Sequence, residues 1–240
     1  MKLITLNIEG DRHLETVMPF LQNENADMVC LQEVFEDTVP RFRDTLHATE
    51  SQYIPSSIYR GKKWGIATFS KIPFQSKEQE LYFVPDAQHL LEWCDIEAPE
   101  QMNEKMRRAF TVAEITIEGQ SFTVINTHFT WSTGGENTPL QERVLQVLMW
   151  KIQKYGEVLL CGDFNIPRGS RLRDRIAATY HENIPADVES TLDPHLHKAK
   201  GHKSVVDGIF SSPSYEVSEV RVVSGVSDHC AIVATISRHV

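Results

Sequence analysis

The sequence predicts an α/β fold, a four-layer sandwich in which two mixed β-sheets pack face to face and helices cover their outer sides. Two observations predict it. Strand-like and helix-like segments alternate early in the chain, and the chain as a whole divides into two β-rich halves that each carry helices. Because the apolar face of a sheet or helix must be buried, such halves are expected to pack sheet on sheet with the helices outside.

The first part of the chain alternates strands with helices. Apolar runs predict strands at residues 2–7 and 27–32 and a weaker strand near 52–59. Helices are predicted near residues 13–23 and 36–48, between these strands.

From Gly65 the composition changes to that of β-strands. The predicted strands there are 66–69, 76–83, 110–117 and 121–126. Residues 118–120, Glu-Gly-Gln, predict a hairpin connection between the last two strands.

The last part of the chain returns to a mixed pattern. A helix is predicted near 138–154, where Val144, Leu145 and Leu148 are apolar. The further predicted elements are a strand at 157–161, a helix near 170–179 and strands at 205–211, 217–222 and 231–236.

Two segments, 84–108 and 180–204, are predicted to be irregular. Long irregular segments in a compact domain are often functional. We therefore expect residues 88–108 to cover a cleft and to shape its specificity.

Residues 1–240 are predicted to form a single domain, because polar residues that follow strand-like runs extend from Asn7 to His229. With 41% hydrophobic and 24% charged residues, the composition is that of an ordinary globular protein. No apolar run suits a signal peptide or a membrane helix, so a cytoplasmic location without a membrane anchor is expected. No feature predicts a protein partner.

The net charge of -9 disfavours nonspecific binding of a polyanion, although a local basic patch can still hold a phosphate. The four cysteines are widely separated and have neither disulfide nor zinc spacing. Three of them lie in or beside predicted buried strands, where cysteine behaves as a small apolar residue.

Polar residues recur where strand-like runs end. Four of them, Asn7, Glu33, Asp163 and Asp228, offer hard oxygen ligands, which suit Mg²⁺, or Mn²⁺ as a substitute, better than Zn²⁺. Two histidines, His128 and His229, add groups that can contact a phosphate or move a proton. Hydrolysis of a phosphate ester needs a metal to neutralise charge, a carboxylate to activate water and imidazoles to stabilise oxygens.

The order and spacing of these residues resemble those of the endonuclease/exonuclease/phosphatase superfamily, the deoxyribonuclease I-like metal-dependent phosphoesterases. Each motif alone is weak, but the joint order is specific and spans the whole chain. The matching segments are 5–10 (Thr-Leu-Asn-Ile-Glu-Gly), 31–34 (Leu-Gln-Glu-Val), 126–128 (Asn-Thr-His), 162–165 (Gly-Asp-Phe-Asn), 206–210 (Val-Asp-Gly-Ile-Phe) and 227–229 (Ser-Asp-His).

The resemblance implies a role for each residue. Glu33 would be the main metal ligand, with Asn7 and Asp228 in or near the metal shell. Asp163 would position or deprotonate the attacking water, and Asn165 would orient that water or the phosphate. His128 and His229 would contact phosphoryl oxygens, and Asp207 would fix the tautomer of His229.

Departures from family signatures leave the substrate open. Residues 126–129, Asn-Thr-His-Phe, stand where exonuclease III-type enzymes carry Tyr-x-Pro-Asn, so the chain is more similar to the histidine-containing branch. The inositol phosphatase signature is absent around Asp207. The expected substrate is a phosphate ester, with a phosphodiester preferred: a small nucleotide, a phospholipid-type ester or a nucleic acid.

Several of these residues also have a structural or noncatalytic explanation. A noncatalytic binding or scaffold protein that retains the fold is the alternative function. The arginines at positions 168, 171, 173 and 175 favour a solvated helix face over a polyanion contact, and the histidines at 181, 195, 197 and 202 favour a polar surface over a second metal site. Trp131 fits equally a loop-packing residue and a platform that stacks on substrate.

Overall fold

The computed structural model describes residues 1–85, 89–93 and 99–239. Within this range the chain forms two six-stranded sheets. The first sheet runs β11 (Tyr215–Val223), β12 (Ala231–Arg238), β1 (Lys2–Asn7), β2 (Met28–Phe35), β4 (Lys62–Ser70) and β3 (Glu50–Tyr59). The second runs β5 (Phe74–Phe83), β6 (Arg108–Ile117), β7 (Gln120–His128), β8 (Leu159–Asp163), β10 (Asp207–Ser211) and β9 (His181–Glu182).

Each sheet has one parallel pair near its centre. Strand β1 lies parallel to β2, and β7 lies parallel to β8 with His128 opposite Asp163. The other named pairs are antiparallel. Because parallel strands end at the same edge of a sheet, each pair delivers its terminal polar residues to one place.

Helices cover the outer faces. They are α1 (Leu14–Glu24), α2 (Val39–Thr45), α4 (Pro139–Ile152) and α5 (Arg171–Ala177), whereas α3 (Pro99–Lys105) lies in the segment between β5 and β6. Apolar residues of α1 and α2 pack on the first sheet, and those of α4 and α5 pack on the second. The predicted four-layer fold is confirmed. In the described range, none of the helices is both long and apolar enough to cross a bilayer.

Side-chain alternation along β1 explains how an apolar strand ends in a polar group that faces the other sheet. Ile4 and Leu6 pack against the helices, whereas Leu3 packs between the sheets. The period of two then places Thr5 and Asn7 on the inner face with Leu3. Asn7 is therefore buried at the end of the sandwich rather than exposed in a turn.

One segment that was predicted to be irregular contains a helix. Residues 99–105 form α3. Met102 in this helix and Met106 just after it are both buried, and their spacing of four residues places them on the same side of a helical turn. The predicted cover of the cleft, residues 88–108, is described at 89–93 and 99–108, and its other residues lie outside the described range. The segment 180–204 has little regular structure apart from β9.

The prediction of a solvated arginine face is wrong for Arg173. Its side chain is buried, and its guanidinium contacts the Glu182 carboxylate at 2.8 Å and donates to the Val206 carbonyl oxygen at 3.0 Å. Arg168 contacts the same carboxylate at 3.2 Å. These two arginines join α5 and its preceding loop to β9 and β10. Their guanidinium groups therefore stabilise the fold and are already paired with an acid of the protein.

The described cysteines behave as predicted. Cys30, Cys161 and Cys230 are buried free thiols, and the first two lie in the apolar layer between the sheets. Cys94 lies outside the described residues.

Gly162 lies where β7 and β8 approach most closely. Its φ is 141°, and a Cβ there would lie 1.9 Å from the carbonyl oxygen of Thr127. We expect Gly162→Ala to lower the free energy of unfolding by about 3 kcal/mol or more, because the two strands must separate locally. Urea unfolding measures this difference.

The matched control is Gly156→Ala. Gly156 also has a positive φ, 67°, but a Cβ there would have no neighbour within 4 Å. Its expected cost is only about 1 kcal/mol, the cost of backbone strain without a clash. Equal losses in the two variants would contradict the steric explanation.

Candidate active site

The predicted residues meet at one end of the sandwich. Asn7 at the end of β1 donates through Nδ2 to Glu33 Oε1 at 3.0 Å and to Asp163 Oδ2 at 3.0 Å. Its own oxygen, Oδ1, accepts from the backbone N–H of Glu9 at 3.2 Å. Asn7 therefore joins carboxylates of both sheets, and in this arrangement it orients them through its amide nitrogen.

A local distortion of β2 aims Glu33 into the site. Glu33 has a φ of 60°, which is uncommon for a residue other than glycine, and the pairing of β2 with β4 shifts between Leu31 and Val34. An extra residue of this kind bends a strand and redirects a side chain. Simple alternation would have placed Glu33 on the helix side with Leu31, so the distortion gives the carboxylate its functional direction.

The Asp163 carboxylate is held in position by several hydrogen bonds. It is buried, and its Oδ1 accepts from the backbone N–H of Asn165 at 2.8 Å. The Asn165 side-chain amide donates to Asp163 Oδ2 at 3.3 Å and to the Phe129 carbonyl oxygen at 3.1 Å. These donors fix the direction in which the carboxylate faces.

His229 and Asp207 form a buried pair. His229 Nδ1 lies 2.9 Å from Asp207 Oδ2, and Nε2 lies 3.9 Å from Asp163 Oδ2. The hydroxyl of Thr191 accepts from the backbone N–H of Asp207 at 3.1 Å. A carboxylate at Nδ1 accepts the proton on that nitrogen, so Nε2 is the nitrogen that faces the reacting groups.

His128 approaches the same acids from β7. Its Nε2 lies 3.5 Å from Asp163 Oδ2 and 3.8 Å from Glu33 Oε1. The Trp64 ring packs edge-on against the imidazole, with 5.9 Å between the ring centroids. The two imidazoles thus lie on either side of the Asp163 carboxylate.

The pKa values of the two histidines are shifted in opposite directions. Burial lowers the pKa of His128 to about 4, although the Asp163 carboxylate acts to raise it. Burial also acts to lower the pKa of His229, but the charges of Asp207 and Asp163 outweigh it and raise that pKa well above its usual value. The surroundings therefore favour the neutral form of His128 and the charged form of His229.

The acids repel one another. Burial, followed by the charge of Asp228, raises the pKa of Glu33 to about 8. A divalent cation relieves this repulsion and favours the ionised carboxylates. The carboxylates of Glu33, Asp163 and Asp228 are hard donors of the kind that Mg²⁺ prefers, so their chemistry fits such an ion, although the compact acid and histidine groups of the described residues do not include Glu33.

Asp228 also lies close to residues that the sequence did not single out as ligands. Single atoms of Asp228, His197 and His229 lie within 4.8 Å of one another, as do atoms of Asp228, Glu9 and His13. Asp163, Asp207 and His229 form a further group of this size. Among the described residues, these are acid and histidine groups compact enough to hold a cation.

His197 and His202 line the cavity, against the expectation of a simple polar surface for the histidines of this segment. The His197 ring lies 6.0 Å from the His229 ring. Main-chain hydrogen bonds bring the segment here: Asp193 N–H donates to the Asp228 carbonyl oxygen at 2.8 Å. Nothing in the irregular spacing of these histidines indicated this placement.

The acids open into a cavity of about 570 Å³. Its lining combines polar residues with the aromatic residues Tyr59, Trp64, Trp93 and Trp131. Trp131 is 41% exposed at the edge, where its ring is free to contact a bound molecule. The wall also includes Asn103, Met106 and Arg108, which belong to the segment 88–108 that the sequence predicted to cover a cleft.

Asn126 and Gln32 belong to the predicted motifs, but they do not line the cavity and instead stabilise the strands that carry the site. Asn126 Nδ2 donates to the carbonyl oxygens of Leu31 and Ala67, and its Oδ1 accepts from Gln32 Nε2 at 2.7 Å. These bonds join the two sheets directly behind Glu33 and His128. They hold the site's geometry without reaching the cavity.

The sequence profile of the Endonuclease/Exonuclease/phosphatase family matches residues 4–229. The chain belongs to the endonuclease/exonuclease/phosphatase family. Members of this family are phosphoesterases that generally use a divalent metal ion, so the family predicted from the motifs is confirmed. No curated protein sequence matches the chain significantly.

Solved structures share the family fold over nearly the whole chain. A family protein from Leptotrichia buccalis has a TM-score of 0.74 at 19% identity, covering 99% of each chain. A mannosyl-6-phosphatase from Bacteroides thetaiotaomicron has a TM-score of 0.71 at 14% identity, covering 99% of each chain. The human Nocturnin catalytic domain, with bound sulfate, has a TM-score of 0.73 at 17% identity, covering 100% of this chain and 93% of the other. At these identities the likeness confirms the fold.

Proposed function

We propose that the protein is a magnesium-dependent phosphoesterase of the histidine-containing branch that hydrolyses a small phosphate ester by in-line attack of water. One observation carries the proposal: His128 Nε2 and His229 Nε2 lie 3.5 and 3.9 Å from Asp163 Oδ2, beside Glu33, and their pKa values are shifted in opposite directions. This set offers a base, a proton donor and a cation site within one cavity.

The metal would be held by Glu33 and Asp228, with Asn7 beside them. When bound, Mg²⁺ supplies positive charge that stabilises the developing charge on phosphate oxygens. Mn²⁺ suits the same oxygen ligands and is the expected substitute.

The side chains divide the remaining work. Asp163 accepts a proton from the attacking water, and Asn165 holds the carboxylate and the water in position. His229 donates from Nε2 to a phosphoryl oxygen, and Asp207 keeps it charged and oriented. His128, being neutral, donates or accepts a hydrogen bond without adding charge.

A small ester suits the site better than a long nucleic acid. A cavity of about 570 Å³ is within the usual size of small-molecule sites. The net charge of -9 opposes a polyanion, and Arg168 and Arg173 are already paired with Glu182. The mannosyl-6-phosphatase among the similar structures supports including a sugar phosphate among the candidates.

A noncatalytic scaffold is the alternative. A scaffold would not require the catalytic side chains, so substitutions at those positions would be tolerated. The acids, amides and imidazoles required for the chemistry are nevertheless present and in contact. This completeness favours an enzyme.

A panel of phosphate esters tests the proposal. It contains bis-p-nitrophenyl phosphate, p-nitrophenyl phosphate, a sugar phosphate, sphingomyelin, an inositol polyphosphate, a tyrosyl-linked oligonucleotide, DNA and RNA. We expect hydrolysis of a small ester that EDTA abolishes and Mg²⁺ restores, because the acids repel one another without a cation. Glu33→Gln is expected to raise the Mg²⁺ concentration for half-maximal activity about 10-fold or more.

The matched control is Glu36→Gln. Glu36 is exposed three residues further on and pairs with Lys63, so it should leave the Mg²⁺ requirement unchanged. Activity that survives EDTA in the wild-type protein would contradict metal dependence. If none of the esters is hydrolysed, the noncatalytic scaffold is favoured.

A further inference from the structure

Three of the four tryptophans of the chain line the catalytic cavity. They are Trp64, Trp93 and Trp131, and Tyr59 lies in the lining with them. We refer to these four residues as the aromatic wall. The fourth tryptophan, Trp150, is 68% exposed on α4 and lies outside the lining. Large aromatic side chains usually pack in cores or at interfaces, so their concentration around one cavity requires an explanation.

Packing of the core does not explain the aromatic wall. Among the described residues, the three apolar clusters that fill the layers of the sandwich include none of its four members. Tyr59 and Trp64 instead pack on each other, with 6.1 Å between the ring centroids, and Tyr59 stacks on Phe35 at 6.3 Å. The aromatic wall therefore lies outside the clusters that stabilise the sheets and helices.

Main-chain contacts hold the aromatic wall in place. Trp93 is fixed to the edge strand β3, because Ile58 N–H donates to the Leu91 carbonyl oxygen at 2.9 Å and Trp93 N–H donates to the Ile58 carbonyl oxygen at 2.7 Å. The Asn103 side-chain amide donates to the Trp131 carbonyl oxygen at 2.8 Å. A wall that is already held in this way needs little ordering when it binds a ligand.

Trp131 is exposed although its chain neighbours are not. Thr130 and Ser132 are buried, whereas 41% of Trp131 is exposed. The loop is therefore packed into the protein on both sides of a residue that leaves much of its surface uncovered. A ligand that covers this surface gains the free energy of burying apolar area.

The aromatic wall begins beside the catalytic groups. The Trp64 ring packs edge-on against the His128 imidazole, and His128 Nε2 lies 3.5 Å from Asp163 Oδ2. A phosphate that binds beside Asp163 is therefore close to Trp64. The group that the phosphate carries would extend along the aromatic wall.

We propose that the aromatic wall is a subsite for a flat or cyclic group in the alcohol part of the substrate. This inference rests on the proposed function and deepens it by naming the substrate class. Polar residues line the same cavity, so the ring can carry hydrogen-bonding groups at its edge. Two sources fit: a nucleoside, whose base stacks on an aromatic ring, and a sugar, whose ring presents apolar C–H groups. An open-chain alcohol offers no such face.

Binding without turnover tests the subsite. AMP, mannose 6-phosphate and glycerol 3-phosphate carry one phosphate monoester each, on a nucleoside, a sugar ring and an open-chain alcohol. Isothermal titration in EDTA compares their Kd values. We expect at least one ring-bearing ester to bind about 10-fold more tightly than glycerol 3-phosphate, as for stacking on an aromatic side chain. If neither does, the subsite is overturned.

Variants assign the preference to the aromatic wall. Trp64→Leu and Trp131→Ala are each expected to weaken binding of the preferred ester about 10-fold while leaving glycerol 3-phosphate unchanged. Trp131 is partly exposed, so its replacement should not prevent folding even if that of Trp64 does. Trp150→Leu is the matched control and should bind as the wild type. A ring preference that survives in a folded Trp131→Ala protein and in Trp64→Leu would overturn the proposal.

The control variant also supplies a spectroscopic measurement. In Trp150→Leu every remaining tryptophan belongs to the aromatic wall, so binding of the preferred ester should change the tryptophan emission. Unchanged emission at saturation would contradict contact with the wall.

The probes distinguish the two sources of the ring. Tighter binding of AMP alone identifies a nucleoside, and tighter binding of mannose 6-phosphate, with or without AMP, identifies a sugar ring. The proposed function fails separately. A wall-dependent ring preference without hydrolysis of any ester keeps the subsite and rejects the enzyme, whereas hydrolysis without a ring preference rejects the subsite alone.

Discussion

Asp163→Asn is expected to lower kcat about 10³-fold or more, because the variant loses the group that accepts the proton of the attacking water. The substitution keeps the shape of the side chain. However, Asn7 and Asn165 donate to both of its oxygens, and an amide offers only one acceptor oxygen. The variant therefore loses both the base and part of the hydrogen bonding that positions it.

The fold should survive this change. Asp163 adds to the repulsion that raises the pKa of Glu33, so removing its charge relieves some of that repulsion. Thermal unfolding of the variant checks this, and Asp187→Asn, at an exposed position, is the control for the loss of one acid. A folded Asp163→Asn protein that retains more than about a tenth of the wild-type kcat would contradict its assignment as the base.

Asp207→Asn is expected to lower kcat about 10²-fold or more, through its effect on His229. The carboxylate lies 2.9 Å from His229 Nδ1 and is a main cause of the raised pKa of that imidazole. Without its charge the imidazolium is less stable, so the pKa of His229 falls. Activity that needs a charged His229 is then lost at a lower pH than in the wild type.

The pH profile distinguishes this effect from damage to the fold. The alkaline limb of kcat should move to lower pH in Asp207→Asn, whereas a purely structural defect lowers kcat equally at every pH. Asp193→Asn is the comparison: Asp193 is buried nearby but accepts backbone N–H groups of Gly225 and His195 rather than a ring nitrogen. It should cost stability without moving the limb, and an unmoved limb in Asp207→Asn would reject its role in charging His229.

Much of the architecture follows from local pattern. Most strands and helices lie within a few residues of their predicted bounds, because alternation and apolar periodicity reflect which side of each element is buried. The exceptions are instructive. Helix α3 carries few apolar residues, and it buries Met102, while Met106 just beyond its end is buried in a cavity wall that other segments complete. Strand β9 is too short for a pattern.

The site was predictable as a set of residues but not as a geometry. Asn7 follows the alternation of its strand, so its inward direction is implied by Leu3 and Thr5. Glu33 does not, since a positive φ and a shift in pairing redirect it. Arg108 and His197 enter the cavity through contacts between segments that are distant along the chain, and no motif marks them.

The sequence by itself determined the family, the layered fold and the polar residues that end the strands. Those properties depend on residue type and on the spacing of near neighbours. The tertiary structure alone decided that Asn7 joins Glu33 to Asp163 across two sheets and that the pKa of His128 is lowered while that of His229 is raised. The reason is that burial and charge act through space, and both depend on which segments the completed fold brings together.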